Sequence, residues 1–174
     1  HEDGRSEMKY LKLDLHTHPF EAMGFPTPSI DTVARIVKQV KRRGLDGIAV
    51  TEHGTPFYGF KAAEIAKEYF PEVIIIPGCE FDVDGIGPPT RRQVVELYVD
   101  NVVFRFQAHP FDERPEILSM CQGIEIKNYL HKDMNGKLAM QLASKFNLLP
   151  LRNLSLIHIS EPTRPLYISY AVFC

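Results

Sequence analysis

Gly47-Ile48-Ala49-Val50-Thr51, a helical stretch at 61–69, then Val73-Ile74-Ile75-Ile76 and Pro77-Gly78-Cys79-Glu80 form the segment that decides the fold. Both short runs are apolar, and the second is β-branched throughout, as strands covered on both faces require. A helix between two such strands is the unit of a parallel sheet. The same rhythm extends in both directions. Upstream, Tyr10–Leu15 reads as a strand. It is followed by a helix capped by Ser29 or Asp31, with apolar residues at Ile30, Val33, Ile36, Val37 and Val40, and ended by Gly44. Downstream, Val102–Ala108, Gly123–Ile126 and Leu148–Leu151 read as strands, and 135–146 as a helix with Leu138, Leu142 and Phe146 on one face. Residues 82–101 break the rhythm: Asp82 to Thr90 is loop-like, and no strand is expected there. Six strands and their helices predict an α/β chain, a parallel sheet or barrel.

Composition narrows the classes. The 174 residues suffice for one domain, and 20 basic against 22 acidic side chains create no field to recruit nucleic acid or an anionic membrane. No apolar run is long enough to span a bilayer, and residues 1–7 are polar and acidic, unlike a signal peptide. Cys79, Cys121 and Cys174 have no paired spacing, so a reducing, cytoplasmic setting is expected. Cys79 reads as a small buried hydrophobe.

In parallel barrels chemistry collects at the carboxyl ends of the strands. The first strand leads into Leu13-Asp14-Leu15-His16-Thr17-His18-Pro19. The next three lead into Thr51-Glu52-His53-Gly54, Pro77-Gly78-Cys79-Glu80 and Ala108-His109-Pro110, and the fifth into Glu125, Lys127 and Asn128. Strand alternation puts Lys12, Asp14, His16 and His18 on one face and Leu11, Leu13 and Leu15 on the other. Imidazoles with a carboxylate suit Zn, Mn or Fe without a thiolate. Asp14 is read as an acceptor orienting a ligand imidazole, or as a bridging ligand. Glu52 beside His53 is a possible ligand or base, but alternation points it away from that ring, and it is read as an exposed loop carboxylate. By position alone His53 could be a turn residue, His109 a satisfied core histidine and His131 a surface residue.

These motifs, in this order over residues 8–153, resemble the PHP (polymerase and histidinol phosphatase) superfamily. The resemblance implies a distorted (β/α)7 barrel and hydrolysis of a phosphate ester by metal-activated water, with two or three divalent ions in the complete site. It implies His16, His18, His53, Glu80 and His109 as metal ligands, and a small phosphorylated substrate or nucleotide. Lys127 and His131 are expected near the mouth to hold the phosphate. An amidohydrolase-like metal hydrolase and a non-catalytic PHP-like module of a larger assembly are the alternatives. Two departures stand out: residues 82–101 contain no histidine, and no Asp-x-His motif follows Asn153.

The tail suggests why. Leu154 to Arg164 reads as the translation of a transposase sequencing adapter. Pro165 to Tyr167 would then cover an index, and Ile168 to Cys174 the flow-cell end. The expectation is a partial PHP domain at 8–153, a non-native or flexible leader at 1–7, and adapter read-through at 154–174. The barrel is then expected to be incomplete at its C-terminus, with an exposed edge, poor stability and two missing ligands.

Overall fold

The computed structural model describes residues 10–83, 92–110 and 116–154. The expected leader (1–7) and the expected adapter segment from 155 onward lie outside them. Among these residues seven strands make one sheet in sequence order: β1 (Leu13–Thr17), β2 (Gly47–Val50), β3 (Ile74–Asp82), β4 (Gln93–Val99), β5 (Val102–Gln107), β6 (Gly123–Asn128) and β7 (Leu149–Asn153). Helices α1 (Pro19–Ala22) and α2 (Ile30–Arg42) lie between β1 and β2, α3 (Phe57–Tyr69) between β2 and β3, and α4 (Gly136–Phe146) between β6 and β7. The sheet curls until β7 lies beside β1, where the Leu15 N–H donates to Asn153 Oδ1 at 3.2 Å. Among the described residues no backbone ladder joins these two strands, so the barrel is nearly closed.

The strand count corrects the sequence reading. Gln93–Val99, expected to be strandless, is β4, antiparallel to both β3 and β5. Its alternation is plain in retrospect, with Val95 and Leu97 turned into the interior cluster. A hairpin here replaces the helical crossover that the rhythm predicts. Because β5 is antiparallel to β4, it regains the direction of β3, and β6 and β7 follow in parallel. The carboxyl ends of β1, β2, β3, β5, β6 and β7 therefore share one rim.

Leu13, Leu15, Ala49, Val95, Leu97, Phe106, Ala108 and Leu151 form one buried cluster. They come from strands all around the sheet and can meet only inside the barrel. Outside it, α2 and α3 bury Val33, Ile36, Val37, Val40, Ala62 and Ala66 against Ile48 and Val50 of β2. On the opposite side α4 covers Ile124 and Ile126 with Ala139 and Ala143. Ser29 caps α2 in a reciprocal box with Thr32.

β3 is the hinge between the two modes of pairing. Its first half, Ile74–Pro77, runs parallel to β2, and Gly78–Asp82 runs antiparallel to β4. A Cβ on Gly78 would stand 2.5 Å from the Glu96 carbonyl oxygen, and one on Gly59 of α3 would stand 2.8 Å from that of Val50. Side-chain-free positions let α3 and β4 close on β3 from two directions. That fixes the segment ending in Glu80.

Candidate metal centre

Glu80 is the hub of the rim. Its carboxylate is 1% exposed, and four imidazoles reach it through the same ring atom. His16, His18 and His53 place Nε2 at 3.1, 3.0 and 3.1 Å from Glu80 Oε2. His109 places Nε2 at 3.2 Å from Oε1. The five residues expected as metal ligands thus converge, from β1, the β1–α1 junction, the β2–α3 loop, β3 and the segment after β5.

The convergence divides into two pairs. His16 and His109 are buried, with ring centroids 5.6 Å apart, and share Glu80 as one potential ligand group. His18 and His53 stack at 4.4 Å with planes 11° apart and share Glu80 as another. His18 is buried, but the His53 side chain is 48% exposed, so this pair opens to the rim.

Behind the deep pair stands Glu125. Its Oε1 lies 3.2 Å from His16 Nδ1 and accepts from the side-chain amides of Asn153 (2.7 Å) and Asn128 (3.2 Å). Its Oε2 accepts the His109 backbone N–H at 2.7 Å. One buried carboxylate therefore fixes a ligand ring, the turn after β5 and the ends of β6 and β7. Asp14, expected to orient an imidazole, instead accepts the His16 main-chain N–H at 3.4 Å, while Glu125 meets the ring. The β1–β2 register slips between Asp14 and Thr17, and the His16 ring meets Phe106 of the interior cluster edge-on at 6.1 Å.

Glu52 also departs from expectation. It is fully buried rather than exposed on a loop. Its carboxylate accepts the N–H groups of Phe20 (2.7 Å) and Glu21 (3.2 Å), satisfying orphan donors in the first turn of α1. Glu21 is then presented to the rim, its Oε2 at 2.7 Å from His53 Nδ1.

The electrostatics follow from burial and these partners. Burial opposes charge on His16, but Glu80 and Glu125 on either side overcome it and hold the ring pKa well above the usual value. The hydrogen bond to Glu80 leads in raising His53 to about 9. Burial lowers the His18 ring against the pull of Glu80, and the neighbouring His16 and His53 lower it further. Burial would raise Glu80, and the surrounding imidazoles drive it far below the carboxylate range. Burial pushes Asp14 and Glu52 up to about 7.

The donor set suits a divalent cation. Ligand atoms around a small tetrahedral ion with bonds of about 2.0 Å lie about 3.3 Å apart, and the four nitrogen–oxygen separations are 3.0–3.2 Å. His18 Nδ1 is buried without a hydrogen-bond partner, which leaves that ring short of an interaction.

A cavity of about 420 Å³, lined by Lys127, Tyr129, His131, Lys132 and Met134 among others, reaches the hub only through His131. The His131 ring sits 4.1 Å from that of His109, and burial together with His109 lowers its pKa. Lys127 is exposed, with Nζ 4.6 Å above the Tyr129 ring. Glu21 and Asn153 were not read from the sequence as parts of this site, and Glu125 was placed at the end of its strand without a role. The signal for that role was a carboxylate between Ile124 and Ile126 in an otherwise apolar strand.

No family model matches the chain. It is 25% identical over 149 residues to an uncharacterized protein of Methanocaldococcus jannaschii, covering 71% of this chain and 85% of that one. The fold is shared with the crystal structure of a proposed metal-dependent phosphoesterase from Bifidobacterium adolescentis. That likeness has a TM-score of 0.62 and 11% identity, and covers 94% of each chain.

Proposed function

We propose that residues 8–153 form a metal-dependent phosphoesterase unit of PHP type that hydrolyses a small phosphate ester. The observation that carries this reading is the convergence of four Nε2 atoms on one buried carboxylate at the rim of the barrel. His16, His109 and Glu80 would hold one divalent ion, and His18, His53 and Glu80 a second, with Glu80 as the bridge. Zn, Mn or Fe suits these ligands. When bound, such ions polarise a phosphoryl oxygen and lower the pKa of water to about 7.

The chain's own groups do the rest. Glu125 holds the His16 ring and the His109 backbone so that both Nε2 atoms face the hub. Lys127 and His131 line the adjoining cavity and would seat the substrate's anionic end there. A phosphorylated metabolite or nucleotide is the substrate class this reading implies. Free Cys79 and Cys121 fit a reducing cytoplasm. Among the described residues no helix is long and apolar enough to cross a membrane.

The test is metal analysis of the purified protein beside a substrate panel of phosphomonoesters, phosphodiesters and amides. Near-stoichiometric divalent metal and chelator-sensitive release of phosphate are expected. Preferential amide cleavage would favour an amidohydrolase-like enzyme. Metal with no turnover of any ester would favour a non-catalytic module.

A further inference from the structure

We infer that Glu21 is a positioning residue that orients the stacked His18–His53 pair toward the hub; the inference rests on the two-cation reading above. The rings lie 11° from parallel and 4.4 Å apart, and both Nε2 atoms face Glu80 Oε2. Their Nδ1 atoms therefore face the other way, toward a single oxygen. Glu21 Oε2 stands 2.7 Å from His53 Nδ1 and 3.7 Å from His18 Nδ1.

An imidazole that offers its Nε2 lone pair to a cation carries its proton on Nδ1, and that N–H needs an acceptor to fix the ring. His53 has one in Glu21. His18 Nδ1, buried and without a hydrogen bond, faces Glu21 at 3.7 Å and Glu52 Oε2 at 3.9 Å. Both Glu52 oxygens already accept backbone N–H groups of α1, which leaves Glu21 the freer acceptor for either ring. Glu52 acts one step further back. By holding Phe20 and Glu21 N–H it sets the short helix from which Glu21 reaches the rim. Glu21 thus does for the rim pair what Glu125 does for His16, from a side chain 42% exposed.

Zinc chloride titrations by calorimetry on the full chain test this with wild type, Glu21→Ala and Glu21→Gln. Wild type is expected to take up two equivalents. Glu21→Ala should weaken one of them about 10–100-fold and leave the other unchanged. Glu21→Gln, whose amide oxygen still accepts, should recover most of that loss. The urea midpoint should stay that of wild type, since Glu21 packs little surface, and the Co²⁺-loaded spectrum should change in one equivalent only. Unchanged affinity for both equivalents in Glu21→Ala would overturn the inference, as would Glu21→Gln behaving no better than Ala. A wild type that takes up no zinc would overturn the metal reading itself, before any variant is compared.

Discussion

The two imidazole pairs on Glu80 use the same chemistry in opposite surroundings. His16 and His109 are sealed in the barrel, and Glu125 behind them is entirely buried. His18 and His53 sit at the rim, where the supporting Glu21 and the outer ring of His53 are nearly half exposed. Buried polar groups are costly to leave unpaired, while exposed ones can turn to water. The deep pair is thus part of what holds the barrel together, and the exposed members of the rim, His53 and Glu21, can be altered with the fold intact.

The largest expected effect comes from breaking the deep side. Glu125→Leu removes the acceptor for His16 Nδ1, the His109 N–H and the amides of Asn128 and Asn153 at once. Breaking a buried charge network from one side costs about 3–5 kcal/mol, read as a large fall in the urea midpoint. Those four contacts tie β1, β6, β7 and the end of β5, so metal uptake should vanish with the fold. A Glu125→Leu protein that melts like wild type would erase the contrast.

The rim gives the intermediate case. His53→Ala truncates a half-exposed ring that stacks on His18 and reaches the buried Glu80, so stability should fall by about 1 kcal/mol, well short of the Glu125→Leu loss. Metal content, by contrast, should fall from two equivalents to one. Elemental analysis beside urea unfolding separates the two readouts. A loss of stability like that of Glu125→Leu would mean the pairs do not differ as their burial implies.

The same contrast shows what was legible in the sequence. Glu80 and the four imidazoles around it could be placed at strand ends because each strand's apolar pattern is local, and the resemblance marked them as ligands. Their supports could not. Glu52 precedes His53 by one residue, and alternation points it away from that ring, but its burial depends on α1, four residues with no period to detect. Glu125 is oriented by its strand, yet its partners lie on β1, after β5 and on β7, up to 109 positions away. The slip between Asp14 and Thr17 was not legible either, because register is set by the neighbouring strand. β4 was missed where the chain returns antiparallel, since a helix-for-strand rhythm has no place for a hairpin.

The smallest expected effect tests whether the cavity beside the deep pair serves binding alone. Lys127 is exposed and lies over Tyr129, and none of the four nitrogen–oxygen contacts at Glu80 involves it. If it attracts the substrate's anionic end, the attraction is present before and during the reaction alike. Removing such an interaction raises KM and leaves kcat unchanged. A solvent-exposed charge contributes about 1 kcal/mol, which is roughly a fivefold change in KM. Lys127→Ala should show that rise with kcat within about twofold of wild type, and the rise should shrink as salt screens the charge. A fall in kcat at constant KM would instead place Lys127 among the groups that act on the reacting phosphoryl oxygens, and would extend the working site from the buried hub out to β6.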